Sequence, residues 1–244
     1  MAVKSIQYKQ YTFDLSYEIL NPDAKVDLII LHGWGSNKMI MKKAFSPYMS
    51  GFRHIYIDLP GFGKSTCPIA LNTSDVARIV ELLMGHVNAR KSIILGHSFG
   101  GKVALLLDPR LLILVASAGI YRTKPLSIQL KIAATKVFNF FGLKKFRSLF
   151  VAQDAKELSQ PMYETFKNVV NEDFSDLFAK YDGHALLCWG EDDTATPLSS
   201  AQIINSLVKK SELKVYKGDH FSFLNNTQDI SQSIEETFLK TLGK

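Results

Sequence analysis

The segment Gly96-His97-Ser98-Phe99-Gly100-Gly101 sets a serine between glycines, with an apolar run before it and a helical run after it. This is the G-x-S-x-G pattern in the strand–turn–helix setting that its chemistry requires. A sharp turn forces such a serine into a strained backbone conformation that exposes its Oγ. The flanking glycines let strand and helix approach without a Cβ clash. The helix N-terminus then brings backbone N–H groups and partial positive charge beside the hydroxyl. The chemistry implied is nucleophilic attack by Ser98 on an electrophilic carbon.

Such a serine needs a base, and the six histidines are His32, His54, His86, His97, His184 and His220. His220 is the candidate, because it lies in a loop after the late apolar run Leu213-Lys214-Val215-Tyr216, where parallel-sheet proteins carry reactive groups. His54 opens a strand, His86 lies on a helix and His184 precedes a strand, while His97 adjoins Ser98 and points another way. An acid must then hold the imidazole in one tautomer. Glu191, Asp192 and Asp193 directly follow another apolar run, and their spacing alone does not choose among them.

The elements that must position these groups read as an alternation. Near-continuous apolar runs at Val26–Leu31, His54–Ile57, Ser92–Leu95, Leu111–Val115 and Ala185–Trp189 predict strands of a parallel sheet buried on both faces. Val76, Ile79, Val80, Leu83 and Val87 recur at helical spacing, with Thr73 or Ser74 as the expected N-cap. A C-terminal amphipathic helix is expected from Asp229 onward. The class is α/β with a mostly parallel sheet. From Arg122 to Tyr181 the pattern is helical throughout, so residues 122–181 read as a helical cap inserted into a core formed by 1–121 and 182–244.

The 244 residues carry a net charge of +6 and 46% hydrophobic residues, which suits a globular chain and excludes a disordered one. Two cysteines exclude a disulfide scaffold and a multi-cysteine zinc site. The longest apolar stretch is interrupted by Asp108-Pro109-Arg110, so no transmembrane segment is expected, and with no signal-peptide pattern at the start a cytoplasmic protein is the expectation. The positive charge is concentrated. Arg122, Lys124, Lys131, Lys136, Lys144, Lys145 and Arg147 fall within the insertion without an acidic neighbour before Phe150. That face could dock an anionic substrate or an acidic acyl carrier. No zinc-finger, RRM-like or Arg-rich signature points to nucleic acid.

Four segments together resemble the α/β-hydrolase superfamily over nearly the whole chain. They are Leu31-His32-Gly33-Trp34-Gly35, Asp58-Leu59-Pro60-Gly61-Phe62-Gly63-Lys64-Ser65, the turn at Ser98, and Gly190-Glu191-Asp192-Asp193 with Pro197. The resemblance implies a Ser98–Asp193–His220 triad, the acid being Asp193 in the family's register. It implies an oxyanion hole formed by the Trp34 and Phe99 N–H groups, structural roles for His32 and Asp58, and no metal or organic cofactor. The substrate pocket is assigned to His97, Phe138, Phe141 and Phe221. Carboxylesterases, pimeloyl-ACP methyl ester esterases among them, are similar in the His-Gly-Trp-Gly and Asp-Leu-Pro-Gly-Phe-Gly segments. The expected activity is hydrolysis of a small or medium acyl ester or thioester. C–C hydrolases of ring-fission dienoates are the alternative, but they usually carry asparagine and tryptophan where this chain has His97 and Phe221. A non-catalytic binding module on the same fold is a second alternative.

Overall fold

The computed structural model describes residues 1–121 and 159–243. Its strands are β1 (Ala2–Tyr8), β2 (Tyr11–Leu20), β3 (Val26–Leu31), β4 (Phe52–Ile57), β5 (Ile93–His97), β6 (Leu111–Val115), β7 (His184–Gly190) and β8 (Ser211–Tyr216). They form one sheet in the order β1-β2-β4-β3-β5-β6-β7-β8. The pairs β1–β2 and β2–β4 are antiparallel, and all later pairs are parallel. The mostly parallel α/β architecture is thus as expected.

Burial on both faces follows residue by residue. In β3, Ile29 and Leu31 join one hydrophobic cluster, whereas Leu28 and Ile30 join the other. The first cluster is covered by α2 (Thr73–His86), α3 (Phe99–Leu106) and, further along the chain, the helix Leu198–Leu207. The second is covered by α1 (Lys38–Phe45) and the C-terminal helix Thr227–Thr241. A strand sandwiched in this way has no polar face, which is why its sequence does not alternate.

Three features depart from the expectations. The hairpin β1–β2 carries few buried side chains on β1, where only Ile6 is buried, so its apolar signal is too sparse to read. Helix α1 likewise escaped the reading. The N-cap of α2 is Asn72, not Thr73 or Ser74. Its side chain accepts from Asp75 N (2.8 Å) while the Asp75 carboxylate accepts from Asn72 N (3.1 Å), and this reciprocal box satisfies two backbone donors at once.

Between β6 and β7 the described residues form two helices, α4 (Gln160–Val169) and α5 (Ser175–Lys180), which add no strand to the sheet. Pro161 sits in the first turn of α4, where its missing N–H costs nothing. These helices are stitched to the core: Leu71 N donates to Thr165 Oγ1 (2.9 Å), Asn168 Nδ2 to Leu71 O (3.1 Å) and Phe174 N to Gly119 O (2.7 Å). Phe138, Phe141 and the seven basic residues from Arg122 to Arg147 lie outside the described residues. The helix Leu198–Leu207 is α6 and the helix Thr227–Thr241 is α7.

Candidate active site

Every predicted reactive group lies just beyond the C-terminal end of a parallel strand. Ser98 follows β5 directly and is the N-cap residue of α3, with φ 52° and ψ −116°. A non-glycine residue at such a φ costs on the order of 1–3 kcal/mol, and the neighbouring contacts enforce it. A Cβ on Gly96 would come within 2.2 Å of Gly100 O, and one on Gly100 within 2.6 Å of His32 O. The two glycines therefore let strand, turn and helix interpenetrate. Ser98 N donates to Val115 O (3.0 Å), and Ser98 O accepts from Ala118 N (3.0 Å), which ties the turn to the end of β6.

Asp193 and His220 lie on the loops that follow β7 and β8. Asp193 follows β7, and its side chain is fully buried. Its Oδ2 accepts from His220 Nδ1 at 2.8 Å and from Thr196 Oγ1 at 2.8 Å. Its Oδ1 accepts from the N–H groups of Ala195 and Thr196, both at 2.9 Å. Burial pushes the Asp193 carboxyl up, but hydrogen bonds from His220 and Thr196 outweigh it and hold it below the usual carboxylate range. Glu191 and Asp192 are exposed on the same loop. Thr196 was missed by the sequence reading; a hydroxyl three residues after the acid is the signal that could have found it.

His97 is buried beneath His220. Its Nε2 lies 3.1 Å from His220 O, and the two ring centroids are 4.8 Å apart. A hydrogen bond from His97 thus links the residue beside Ser98 to the backbone of His220. Ser98 Oγ itself has no hydrogen-bond partner among the described residues. A cavity of about 450 Å³ opens over Ser98, with Trp34 and Phe99 on the core side and Phe166, Val169 and Val170 on the α4 side. Neither His97 nor Phe221 lines it, contrary to the pocket assignment. His97 is consumed in packing under His220, and the Phe221 ring is half-exposed beyond it. The Trp34 and Phe99 amide N–H groups have no acceptor among the described residues. His32 braces the loop that carries Trp34: its Nδ1 lies 2.8 Å from Gly33 O, and its Nε2 accepts from Leu59 N (3.0 Å).

Asp58 does not face this cavity. It forms a fully buried ion pair with Lys38 (2.6 Å) and accepts from Lys38 N and Lys64 N. Breaking such a pair costs several kcal/mol, because the remaining charge is left buried.

A model of the alpha/beta hydrolase family matches residues 28–232, most of the chain. The chain belongs to the α/β-hydrolase family. A pimeloyl-[acyl-carrier protein] methyl ester esterase of Vibrio vulnificus is 23% identical over 239 residues, covering 85% of this chain and 92% of that protein. The same enzyme of Pectobacterium carotovorum is 38% identical over 78 residues, but this match spans only 29% of that protein and 32% of this chain. Among solved structures, an esterase from Exiguobacterium antarcticum superposes with a TM-score of 0.73 at 22% identity, covering 96% of this chain and 98% of that one. Likeness at that identity shows the fold. Among the described residues of this α/β hydrolase, no helix is long and apolar enough to cross a membrane.

Three buried imidazoles make this α/β hydrolase acid-sensitive, and burial holds His54 below the usual histidine range as it does the other two. Burial, reinforced by the neighbouring His220, pushes His97 down to about 3, and burial pushes His32 down to about 4. In the unfolded chain both titrate near ~6.5. Below that pH the unfolded state binds protons that the folded state refuses, so stability falls as pH drops. Between pH 7 and pH 5 His97 and His32 each remove roughly 2 kcal/mol. The lowered carboxyls of Asp58 and Asp193 act only at lower pH and do not enter this window. Urea unfolding at the two pH values should show a loss of at least about 4 kcal/mol from His97 and His32, with His54 adding in the same direction. A loss below about 1 kcal/mol would mean that the folded protein protonates these rings.

Proposed function

We propose that the protein is a serine hydrolase of carboxylic esters, acting through Ser98, His220 and Asp193. The observation that carries this reading is the His220–Asp193 hydrogen bond of 2.8 Å, formed between loops at the same sheet end as the strained turn of Ser98. His220 Nε2 takes the Ser98 proton as Oγ attacks the acyl carbon. The Trp34 and Phe99 amides hold the oxyanion, and removing such a donor typically costs about 3–4 kcal/mol of transition-state stabilisation. The intermediate collapses to an acyl-serine, and the leaving alcohol carries away the proton from His220. Water then attacks the acyl carbon, its proton passes to His220 and back to Ser98 Oγ, and the free acid departs.

Residues 122–181 serve in this reading as a cap over the cavity, and the substrate is a small or medium acyl ester. The esterase similarities, and His97 and Phe221 at the two diagnostic positions, favour this over C–C cleavage. A fluorophosphonate probe tests the reading directly. One adduct on Ser98, together with hydrolysis of p-nitrophenyl butyrate, is the expected result. Folded protein that takes up no probe would be a binding module.

A further inference from the structure

Beside Ser98, the cavity holds an ion pair between a buried lysine and a half-buried glutamate that the proposed chemistry does not use. Lys102 is four residues past Ser98, so it projects about one helical turn, or about 6 Å, along α3 from the nucleophile. It is 3% exposed. Its Nζ donates to Glu172 Oε2 (2.8 Å) and to Val169 O (2.6 Å), at the C-terminal end of α4. The Phe99 and Phe174 rings flank the ammonium at 5.5 and 5.1 Å. The Glu172 carboxylate also accepts from Thr73 Oγ1 and, at 3.3 Å, from Thr73 N. Both Lys102 and Glu172 line the cavity that contains Ser98.

An ion pair that buries the lysine ammonium is a poor way to stabilise a wall that apolar side chains could fill, so its position in the cavity calls for another role. The ammonium has three N–H groups and spends two on described residues. Beside it stands a carboxylate oxygen that can accept. A donor and an acceptor side by side, with no net charge, match a hydroxyl, which accepts from one and donates to the other. A terminal carboxylate would meet Glu172 and be repelled, and an alkyl end would leave both groups unpaired.

We propose that Lys102 and Glu172 form the specificity element at the far end of the acyl pocket, selecting esters whose acyl chain ends in a hydroxyl. This rests on the reading of Ser98 as the nucleophile. The test compares the ethyl esters of hexanoic and 6-hydroxyhexanoic acid, and monoethyl adipate, by kcat/KM. Binding of the same three esters to the Ser98→Ala variant, followed by calorimetry, reads pocket preference without turnover.

The wild type should favour the hydroxyl ester over the alkyl ester by at least about tenfold, and should disfavour the adipate. Lys102→Met should bring that ratio to about one. Glu172→Gln, which keeps the shape and removes the charge, should raise the adipate relative to the alkyl ester by about fivefold or more. Equal or better use of the alkyl ester by the wild type overturns the proposal. So does a ratio unchanged in both variants, even if Lys102→Met melts earlier, because the pair then only fastens α4 to α3. A hydroxyl preference in binding without any ester turnover would keep the pocket assignment and discard the esterase reading, whereas turnover without preference would do the reverse.

Discussion

Ser98→Ala should lower kcat for ester hydrolysis by about 10⁴–10⁶ while leaving KM within a few-fold. The alanine keeps the turn and the two backbone donors, so the cavity still binds ester. What it loses is the covalent route, and with it any function for His220 as a base. The remaining rate would come from water held near the oxyanion donors, which alone give about 10³–10⁴ over the uncatalysed reaction. Stability should change little or improve, because the strained φ of 52° belongs to the turn and not to the hydroxyl. Activity within tenfold of wild type, after probe-labelled contaminants are excluded, would remove Ser98 as nucleophile.

Asp193→Asn should cost about 10⁴ in kcat, a loss far larger than the change in size suggests. The reason lies in which oxygen is already committed. Oδ1 accepts from two backbone N–H groups, those of Ala195 and Thr196. An amide side chain must keep its oxygen there, because turning its NH₂ toward two donors would leave three polar groups unpaired in a buried site. Its NH₂ would then face His220 Nδ1 and oblige that nitrogen to accept. The ring proton would move to Nε2, the atom that must take the proton of Ser98. Thr196 Oγ1 can rotate to donate to Ala116 O, 3.0 Å away, so nothing nearby forces the amide back. A kcat within about tenfold of wild type would show that another group orients His220.

The two sites differ in how far they could be read from the chain. The elbow is local. Strand, turn and helix all lie between Ile93 and Leu106, and the glycines are required by contacts between near neighbours and with the adjacent strand end. The base could be chosen by its place after a late strand. The acid could not be singled out by spacing, since Glu191, Asp192 and Asp193 follow the same strand. The family register selected Asp193, and the structure sets its carboxylate on His220 while the other two face solvent.

His97 shows the opposite case. Adjacent to Ser98, it reads as a pocket residue, yet its ring lies under His220, a residue distant in the chain. The hairpin β1–β2 was hidden because an edge strand with one buried side chain has little periodic signal to offer.

By itself the sequence determined the α/β class and singled out Ser98 and His220, in that order along the chain. Those rest on periodicity and on turn geometry, which act over a few residues. Tertiary structure alone decided that Lys102 meets Glu172, that Thr196 joins Asp193 and His220, and that His97 packs under His220 and does not line the cavity. Such pairings join residues brought together by the sheet order and by docking of α4 onto α3. No local pattern encodes them, because each partner's burial and charge are set by elements far away in the chain.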